Sequence, residues 1–482
     1  MEYYLGIDMG TSSIKANVID ENGLIVSKAR TSVSLINPQE GFFEIDPEKT
    51  WWEGFREITR QISSDVDISQ IASICISSLC GTFVPVDEDL RPLCNAILYS
   101  IDTRSKEQVR RLNEKFGEER LVKDLGGVFT THSIFPKILW LKENCPEVYA
   151  KAKYFVESNN YVSMMLTGKT AWDYPSAIGS QMVDINNLSV ASHIMAEAGL
   201  DREKIPRLNY VTDVLGEVST ERALDLGYRK GTPVMTGGCD INAEAMSIGA
   251  VNPGDMLVVF GSTMSTLMTL SSFQTMKGFR IGMSVKKGTY RLGTASSAGA
   301  RHLQWVDRML GVQCNIDRKA LPTGIMMLPY LDGMRSPFDD PNAKPAFLNL
   351  EAHTTANDLS VSAREALGYE IAMLLDMVES KGQEVKVMNC TGGLTNIREL
   401  MQIVSDITGK KLRLFRSTDA SFGDAFIALS KGRDFESFYS LEGIQKEFSP
   451  DEVVEPDEEM HEKYKPLSKK YNGAYEKLRS LF

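Results

Sequence analysis

Apolar runs separated by short polar breaks dominate the start of the chain. Tyr3 to Ile7 is apolar, the chain turns polar from Asp8 to Ser12, and Ile14 to Ile19 is apolar again. Apolar runs of this length between turn-forming residues are typical of buried strands. The pattern predicts a tight strand–turn–strand that continues into a meander, with strands at about 3–8, 14–19 and 24–32.

Helical spacing follows the first strands. Asp46-Pro47 predicts a helix start, with Asp46 as N-cap and proline at the first helical position. Apolar residues then recur from Trp51 to Ile62 at the spacing of one helix face. The paired tryptophans at 51–52 could stack on a sugar, but this spacing favours a place in the core.

The same order of patterns returns in the second half of the chain. Apolar strands with polar turns recur over 256–295, and helical spacing follows at about 297–311, 358–381 and 396–408. The tail from residue 431 is rich in charge and is predicted to be a solvated loop and a final surface helix. We therefore predict an α/β fold of two domains, 1–248 and 249–482, which meet at the glycine-containing segment 249–254.

The first turn has the composition of a phosphate-binding hairpin. Its small and hydroxyl side chains stand beside backbone N–H groups that can point at phosphate oxygens. Asp8 alone would repel a phosphate, but it fits this place if Mg²⁺ lies between the carboxylate and the phosphate. We predict Asp8 as the metal ligand, and the predicted nucleotide-binding residues are Gly10, Thr11, Ser12, Ser13 and Lys15. An ordinary polar hairpin is the alternative.

Two further segments carry glycines and hydroxyls at the ends of apolar strands. Residues 256–267 run from an apolar strand through Gly261, Ser262 and Thr263 into another apolar strand. Residues 388–396 end a strand at Gly392, Gly393 and Asn396, where close backbone approach by a flat base or ribose is possible. We predict phosphate binding at the first segment and adenosine binding at the second. A plain hairpin and a plain strand-to-helix turn are the alternatives.

Asp240 is the predicted catalytic residue. Val234 to Cys239 reads as a strand that runs into glycines, and Asp240 opens a helix to Ile248. Transfer of a γ-phosphoryl group to an alcohol needs a group that orients the hydroxyl and accepts its proton. A simple helix N-cap is the alternative, since aspartate often fills that position.

These segments, in this order, resemble the FGGY carbohydrate kinases. Besides the segments above, the resemblance uses Asp-Ile-Asn at 240–242, Leu98 to Arg104, Lys137 to Asn144, and the alanine-containing helix at 420–428. It covers residues 1 to about 432. It implies a two-domain actin-like ATPase fold, a duplicated ribonuclease H-like fold with an interdomain cleft. It also implies ATP and Mg²⁺ as cofactors, and Asp240 as the base that accepts the sugar proton.

The segment that faces the sugar departs from the family. Xylulose kinases carry Met-His and glycerol kinases Arg-Glu where this chain has Cys80 and Gly81, both small and weak polyol partners. The second family signature also differs near 358–365, where Arg364 occupies an apolar position. The predicted substrate-binding residues are Cys80, Gly81, Asp102, Asp240 and Asn242. Arg104 could equally be a structural ion-pair partner.

Composition limits the classes of partner and the cellular compartment that we expect. The net charge of −11 argues against nonspecific nucleic-acid binding. The seven cysteines are scattered and contain no CxxC pair, which indicates free thiols in a reducing, cytoplasmic compartment. We expect no nucleic-acid partner, no membrane span and no signal peptide, and a homodimer is the assembly that the family suggests.

Three functions remain open from the sequence. The first is an ATP-dependent kinase of a ketopentose such as xylulose. The second is a kinase of another polyol or sugar acid, such as ribulose, erythritol or gluconate. The third is a non-catalytic ATP-binding regulator of the actin and Hsp70 type, which would have no need for a base at Asp240.

Overall fold

The N-terminal apolar runs form three antiparallel strands in the computed structural model, which describes residues 1–276, 278–338 and 340–482. The strands are β1 (Tyr3–Met9), β2 (Ser13–Asp20), β3 (Ile25–Ser32), β4 (Glu44–Ile45), β5 (Ile71–Ser78), β6 (Phe83–Val86), β7 (Ala96–Ile97), β8 (Tyr154–Glu157), β9 (Trp172–Asp173), β10 (Val183–Asp184), β11 (Ser189–Val190), β12 (Leu208–Asn209), β13 (Val214–Glu217), β14 (Pro233–Met235), β15 (Gly238–Cys239), β16 (Asp255–Phe260), β17 (Met264–Leu270), β18 (Arg280–Met283), β19 (Tyr290–Ser296), β20 (Met326–Leu328), β21 (Ala346–Leu348), β22 (Val387–Thr391), β23 (Leu412–Phe415) and β24 (Glu452–Val454).

The helices lie where the helical spacing predicts them in most of the chain. They are α1 (Glu53–Ile62), α2 (Lys106–Phe116), α3 (Glu118–Leu125), α4 (Ile134–Asn144), α5 (Pro146–Lys151), α6 (Ser158–Thr167), α7 (Tyr174–Gly179), α8 (Ser192–Glu197), α9 (Glu221–Leu224), α10 (Asp240–Ser247), α11 (Ala300–Leu310), α12 (Ala356–Glu379), α13 (Arg398–Thr408), α14 (Ala420–Ser430), α15 (Glu442–Glu447) and α16 (Glu458–Leu478). Asp46 caps a π-helical turn, Pro47–Trp52, that leads into α1, and Trp51 is fully buried in the core as predicted. Among the described residues, none of the helices combines the length and apolar character needed to cross a bilayer.

Two compact units divide the chain. The first comprises Met1–Gly249, Ile281–Gly288 and Asp419–Ser449, and the second comprises Ala250–Arg280, Thr289–Thr418 and Pro450–Phe482. The predicted domains, 1–248 and 249–482, change over at the same place but assign 281–288 and 419–449 to the C-terminal half. The contacts of α14, described below, explain why 419–449 lies in the first unit.

Three parallel strands of the main sheet in the first unit end at the same edge. Its order is β13-β14-β5-β1-β2-β3, with β15 paired to β5. β1 and β15 both run parallel to β5, so the three strands end at one edge of the sheet. Ser77 of β5 is in register with Asp8 of β1 and with Gly238 of β15. This register brings the segments that carry Asp8 and Asp240 to the same edge.

Helix α14 packs directly on this sheet. A Cβ atom added at Gly6 of β1 would lie 2.0 Å from the Ala425 nitrogen, so the strand and helix backbones touch. Asn17 Nδ2 on β2 donates hydrogen bonds to Asp419 Oδ2 and Ser421 Oγ, each at 2.7 Å. A Cβ atom at Gly423 would lie 2.0 Å from the Ala243 oxygen of α10. Helix α14 therefore packs against both β1 and α10, the two elements that carry Asp8 and Asp240.

The second unit repeats the strand arrangement of the first. Its sheet contains the order β19-β17-β16-β22-β23-β24. The β16–β17 and β17–β19 pairs are antiparallel, whereas β22 runs parallel to β16. A meander followed by a parallel strand is thus common to both sheets, and the predicted repetition is confirmed.

The predicted final helix of the C-terminal tail is confirmed as α16, but its prediction as a surface helix is wrong. Helix α16 is half-buried: the rings of Tyr471 and Tyr369 of α12 stack with centroids 5.2 Å apart, and Tyr464 OH donates to Glu365 Oε1 at 2.8 Å. Tyrosines at this helical spacing form a buried face, which the charged residues between them conceal in the sequence.

Candidate active site

Asp8, the last residue but one of β1, has a buried and incompletely bonded carboxyl group. The residue is 7% exposed, its Oδ1 has no hydrogen-bond partner among the described residues, and its Oδ2 lies 3.7 Å from Lys15 Nζ. Burial raises the pKa of Asp8 to about 6; Lys15 opposes this, and Asp419 and Glu244 add to it. A buried carboxylate oxygen without a partner is costly unless a cation or donor occupies the place beside it.

The turn after Asp8 is tight and partly open to solvent. The Gly10 nitrogen donates to the Ser13 oxygen at 3.0 Å, which closes the turn. Ser12 is exposed and Thr11 is half-buried, whereas Ser13 is buried. Lys15 pairs across the hairpin with Asp8, and 41% of its side chain is exposed. The predicted nucleotide-binding residues thus lie on the hairpin that follows Asp8, and Lys15 lies opposite its carboxyl group.

Asp240 lies at the same sheet edge and is the first residue of α10. The helix N-cap is Cys239, so the alternative in which Asp240 is the cap is wrong. Asp240 Oδ1 accepts a hydrogen bond from the Ile241 nitrogen at 2.7 Å, which orients the carboxyl group. The residue keeps part of its surface exposed. Burial of the carboxyl group, with Cys239 and Asp8 nearby, raises the pKa of Asp240 to about 8.

Asn242 lies two residues after Asp240 on α10, and its side-chain amide has a free hydrogen-bond donor. The residue is 2% exposed, and its Nδ2 has no hydrogen-bond partner among the described residues. The predicted substrate-binding residue therefore has a buried amide that is able to donate to a ligand.

Gly81 has a structural role that the sequence did not reveal. It is buried and adopts φ +79°, a backbone conformation that residues with a Cβ atom rarely tolerate. A Cβ atom at Gly81 would lie 2.8 Å from the His132 oxygen and 3.0 Å from His132 Cε1. The imidazole of His132 thus lies where a side chain at position 81 would begin.

Cys80 lies at the centre of a small polar cluster. Its Sγ is 3.4 Å from His132 Nε2 and 3.7 Å from both the Ser176 oxygen and Ser180 Oγ. The neighbouring Cys239 and burial raise the pKa of the Cys80 thiol. Cys239 directly precedes Asp240, so the segment that carries Cys80 lies near the predicted base.

Asp102 is sealed inside an ion-pair network, and its prediction as a sugar ligand is not supported by its surroundings. The residue is 0% exposed, and its carboxylate accepts from the Phe43 nitrogen at 2.8 Å and from Arg104 Nε at 2.9 Å. Arg104 also donates to Glu44 Oε1 at 2.8 Å and stacks on Phe42, with its guanidinium carbon 4.2 Å from the ring centroid. Arg104 is the structural ion-pair partner that the sequence left open.

In the second unit, the second phosphate-type hairpin and the glycine segment are neighbours. β16 and β22 are parallel, and Val259 is in register with Thr391. A Cβ atom at Gly392, which has φ +98°, would lie 2.4 Å from the Phe260 oxygen. The structure therefore brings Gly261, Ser262 and Thr263 next to Gly392.

Both of these segments have residues at the surface. The Gly261 nitrogen donates to the Thr263 oxygen at 3.0 Å, and Ser262 is exposed. Gly393 is exposed, with nothing within 4 Å of an added Cβ atom, and Asn396 Nδ2 donates to the Gly393 oxygen at 3.1 Å. Both segments thus present exposed backbone and small polar groups.

Sequence reasoning missed His132 beside Cys80 and three buried carboxyl groups, those of Glu157, Asp173 and Asp424. Glu157 is fully buried, and burial together with Asp173 raises its pKa. Asp424 of α14 is 0% exposed and accepts from Ser77 Oγ at 2.6 Å. Polar residues directly after a strand or inside an apolar helix were the available signal, but only the fold shows which of them meet.

The chain is similar to known proteins over most of its length. The model of the FGGY family of carbohydrate kinases, N-terminal domain, matches residues 3–247, and that of its C-terminal domain matches residues 283–430. A xylulose kinase of Lactococcus lactis is 26% identical over 462 residues, 93% of this chain and 91% of the relative. A gluconokinase of Bacillus subtilis is 24% identical over 457 residues, 90% and 89% of the two chains.

A crystal structure of a xylulose kinase from Rhodospirillum rubrum has the same fold, with a TM-score of 0.88 and 23% identity over 100% of this chain and 99% of that one. The fold is therefore the two-domain actin-like fold. The two family models together span most of the chain in the expected order. The chain belongs to the FGGY family of carbohydrate kinases and is an ATP-dependent sugar kinase.

Proposed function

We propose that this kinase transfers the γ-phosphoryl group of ATP to a hydroxyl of a neutral ketopentose such as xylulose. The observation that carries the proposal is the pairing of Asp240 and Asp8 at one sheet edge. Each carboxyl group is raised in pKa by burial, and each keeps an oxygen without a backbone donor. Perturbed carboxyl groups that share a site are typical of active sites.

Asp240 is the proposed general base. Its second oxygen is left to accept the sugar hydroxyl, because the Ile241 nitrogen bonds Oδ1. The raised pKa makes the carboxylate a stronger proton acceptor once it is ionised. The partly exposed position allows a substrate to reach it.

Asp8 is the proposed ligand of Mg²⁺. Its buried Oδ1 has no partner among the described residues, which fits a cation at that place. Within the described residues, no group of three or more His, Cys, Asp and Glu side chains could hold a metal by itself. A single carboxylate agrees with Mg²⁺, which takes its remaining ligands from water and substrate phosphates. When bound, Mg²⁺ neutralises charge on the phosphate oxygens.

Backbone and hydroxyl groups are proposed to bind the nucleotide. Gly10, Thr11, Ser12, Ser13 and Lys15 contact phosphate in the first unit; Gly261, Ser262 and Thr263 do so in the second. Gly392, Gly393 and Asn396 contact the adenosine, as their exposed backbone permits.

The sugar is proposed to contact Asn242, Cys80 and His132. Asn242 supplies a buried donor without a partner, and His132 supplies an imidazole beside the side-chain-free Gly81. We exclude Asp102 from this set because the Phe43 nitrogen and Arg104 already occupy its carboxylate. Gly81 contributes space and backbone shape in place of a hydrogen bond.

Charge favours a neutral sugar over a sugar acid. Glu157 and Asp173 lie close to Cys239, which precedes Asp240. A carboxylate-bearing substrate would raise the pKa of Asp240 still further, because a like charge nearby disfavours the ionised form that the base needs. The similarity to a gluconokinase keeps gluconate as the second candidate, although the local charge opposes it. The cytoplasmic location and the homodimer stay predictions.

A substrate panel tests the proposal. Formation of ADP is measured with ATP, Mg²⁺ and one of xylulose, ribulose, erythritol, glycerol or gluconate. We expect the highest kcat/KM with a ketopentose. A higher kcat/KM with gluconate would replace the proposed substrate, and ADP formation that no sugar stimulates would contradict the kinase proposal itself.

A further inference from the structure

A fully buried lysine lies next to the loop that carries Cys80 and Gly81. Lys137 is 0% exposed and belongs to α4, in which Phe135 and Ile138 are also buried. Lysine is almost never fully buried unless its amino group is paired. An apolar side chain would fill such a position without the cost of removing an amino group from water. The amino group of Lys137 therefore has a role that packing alone does not explain.

The amino group joins two segments of the chain. Lys137 Nζ donates a hydrogen bond to the Gly81 oxygen at 3.0 Å and another to the Leu98 oxygen. Gly81 lies between β5 and β6, and Leu98 directly follows β7. One side chain of α4 thus holds the backbones of two loops that are remote from each other in the sequence.

Gly81 needs such a contact to keep one conformation. Glycine adopts positive and negative φ about equally well, so its peptide group rotates more easily than that of other residues. The hydrogen bond from Lys137 fixes the direction of the Gly81 carbonyl group, at a residue whose φ is +79°. Cys80 directly precedes Gly81, and its Sγ lies 3.4 Å from His132 Nε2. The conformation of Gly81 therefore affects where Cys80 lies relative to His132.

The segment that carries His132 leads directly into α4. A Cβ atom added at Gly81 would lie 2.8 Å from the His132 oxygen, so the two backbones are neighbours. Thr131 Oγ1 donates to the Ser100 oxygen at 3.1 Å, which joins this segment to the loop after Leu98. Lys137 and the residues just before α4 thus contact the same two loops.

We propose that Lys137 is a positioning residue for sugar binding, because its amino group holds the Gly81 and Leu98 backbones so that Cys80 and His132 can contact the substrate. The inference rests on the proposed function, in which Cys80 and His132 are sugar contacts. Lys137 is too deeply buried to contact a ligand itself. It acts through the two loops and takes no part in the transfer of the phosphoryl group.

Either protonation state of Lys137 can make both hydrogen bonds. Burial lowers the pKa of Lys137 to about 7; Asp102 opposes this, and Arg104 adds to it. A neutral amine still has two N–H groups, which are enough for the Gly81 and Leu98 oxygens. The contact with the two loops is therefore kept on both sides of neutral pH.

Removal of the amino group tests the proposal. Lys137→Ala is compared with the parent by hydrogen exchange in peptides that cover residues 78–84 and 96–101, without substrate. Both proteins are then assayed with ATP and the sugar of highest kcat/KM in the panel. We expect faster exchange in both peptides and a rise of about tenfold in the KM for sugar, with little change in kcat and in the KM for ATP. Added propylamine, which matches the part of the side chain that is removed, is expected to restore the KM for sugar.

A second lysine of α4 provides the matched control. Lys142 Nζ also donates to a backbone oxygen, that of Gly199, and the residue is only partly exposed. Lys142→Ala is expected to behave as the parent in both peptides and in the KM for sugar. Lys137→Met fills the same space without a donor, so it is expected to show the changes of Lys137→Ala without rescue by propylamine.

The outcomes separate the role of Lys137 from the proposed function. Lack of sugar stimulation in the parent contradicts the proposed function and is seen before any variant is made. With a sugar-stimulated parent, unchanged exchange in folded Lys137→Ala and Lys137→Met overturns the role of Lys137 alone. So does faster exchange with an unchanged KM for sugar. Failure of both variants to fold, with or without propylamine, also overturns it, because Lys137 would then serve the fold only.

Discussion

Two aspartates that were both predicted to bind substrate have different surroundings at the residue scale. Asp102 lies in the loop after β7, and Asp240 directly follows β15. Asp102 is sealed by Arg104 and the Phe43 nitrogen, whereas Asp240 keeps an accessible oxygen. Asp102 pairs with Arg104, two positions away, but Arg104 is covered by the rings of Phe42 and Trp140 from other segments. Burial of this kind is not encoded in a local pattern, so the sequence could not separate the two.

Arg364 is the other departure from the family pattern. It occupies a position that the sequence comparison expects to be apolar, and only 12% of its side chain is exposed. Asp307 of α11 accepts from both terminal nitrogens, at 2.7 and 2.6 Å. The charge is thus compensated inside the unit. The departure therefore concerns packing and does not weaken the predicted site.

Replacement of Asp240 by asparagine tests the base. The amide keeps the size and can still accept from the Ile241 nitrogen, but it cannot take up the sugar proton. We expect kcat to fall by roughly 10²–10⁴-fold, the usual range for a lost acid–base group. ATP affinity is expected to change little. Steady-state kinetics measure both, and an exposed-site variant, Asp201→Asn, serves as the control. A folded Asp240→Asn protein with kcat within threefold of the parent contradicts the proposed role.

Replacement of His132 by glutamine tests the proposed sugar contact. Glutamine keeps a polar side chain but moves the hydrogen-bonding group that lies beside Gly81. We expect a rise of about tenfold in the KM for sugar, the cost of roughly one hydrogen bond, and little change in the KM for ATP. His193→Gln, at an exposed position of α8, is the matched control. An unchanged KM for sugar would remove His132 from the site.

Glu365 links stability to pH. It is fully buried, and burial raises its pKa to about 7, which Thr323 and Tyr464 oppose by hydrogen bonding. A carboxyl group with a raised folded-state pKa stabilises the fold fully below its unfolded-state pKa and loses this contribution as pH rises through the folded-state value. Across that window the loss is roughly 3 kcal/mol.

A Glu365→Gln variant should remove this dependence. Its melting temperature relative to the parent is expected to rise between about pH 5 and pH 8, because glutamine does not ionise. Thermal denaturation over a pH series measures the difference. The exposed Glu399→Gln variant is expected to keep a constant offset. A parallel pair of curves for Glu365→Gln and the parent would show that Glu365 stays protonated throughout.

At the scale of elements, glycines that look equivalent in the sequence separate into two kinds. Gly81 is required by its positive φ and by the His132 backbone against it, so a histidine placed there would disturb the fold before it altered sugar preference. Gly261 has 3.4 Å between an added Cβ atom and the Thr263 oxygen, and its φ is not in the left-handed region. The strands and turns were predictable from apolar spacing, but the space around each turn is set by segments remote in the chain.

A Gly261→Val variant therefore tests whether the second hairpin binds phosphate. Its Cβ atom is accommodated without a clash, but the side chain would occupy the surface that we propose phosphate approaches. We expect ATP affinity to fall by about tenfold or more with thermal stability nearly unchanged. Calorimetry or a fluorescent nucleotide measures the affinity. Gly473→Val, at an open position on α16, is the control. Parental affinity in the Gly261→Val protein would remove this hairpin from the nucleotide site.

At the scale of the whole molecule, the sequence predicted that the strand arrangement repeats. It did not predict that a segment from late in the chain belongs to the first unit. The two meanders follow from apolar runs with polar turns, which are local signals. The place of 419–449 in the first unit follows from contacts such as Gly6 with Ala425, more than four hundred positions apart. The buried face of α16 was missed for the same reason, because its tyrosines find their partners on α12.

ATP with Mg²⁺ should stabilise the whole chain by mass action. At about 100 times Kd, a ligand that binds only the folded state adds about 2.7 kcal/mol. We expect a rise in melting temperature that needs both ATP and Mg²⁺. Asp8→Asn should lose the Mg²⁺-dependent part, because the amide is a poor ligand for this cation. The same rise in Asp8→Asn as in the parent would exclude Asp8 as the metal ligand.

Helix α14 has a consequence for synthesis on the ribosome. It covers β1 and fixes α10, yet it lies roughly 170 residues beyond the end of the first continuous segment of its unit. At about 5–20 residues per second, translation leaves the surface around Gly6 uncovered for about ten to thirty seconds. The emerging chain thus exposes an apolar sheet face until almost all of it has been made. Chaperone binding to nascent chains that end before residue 419, and its release once residue 449 has emerged, would be the visible sign of this delay.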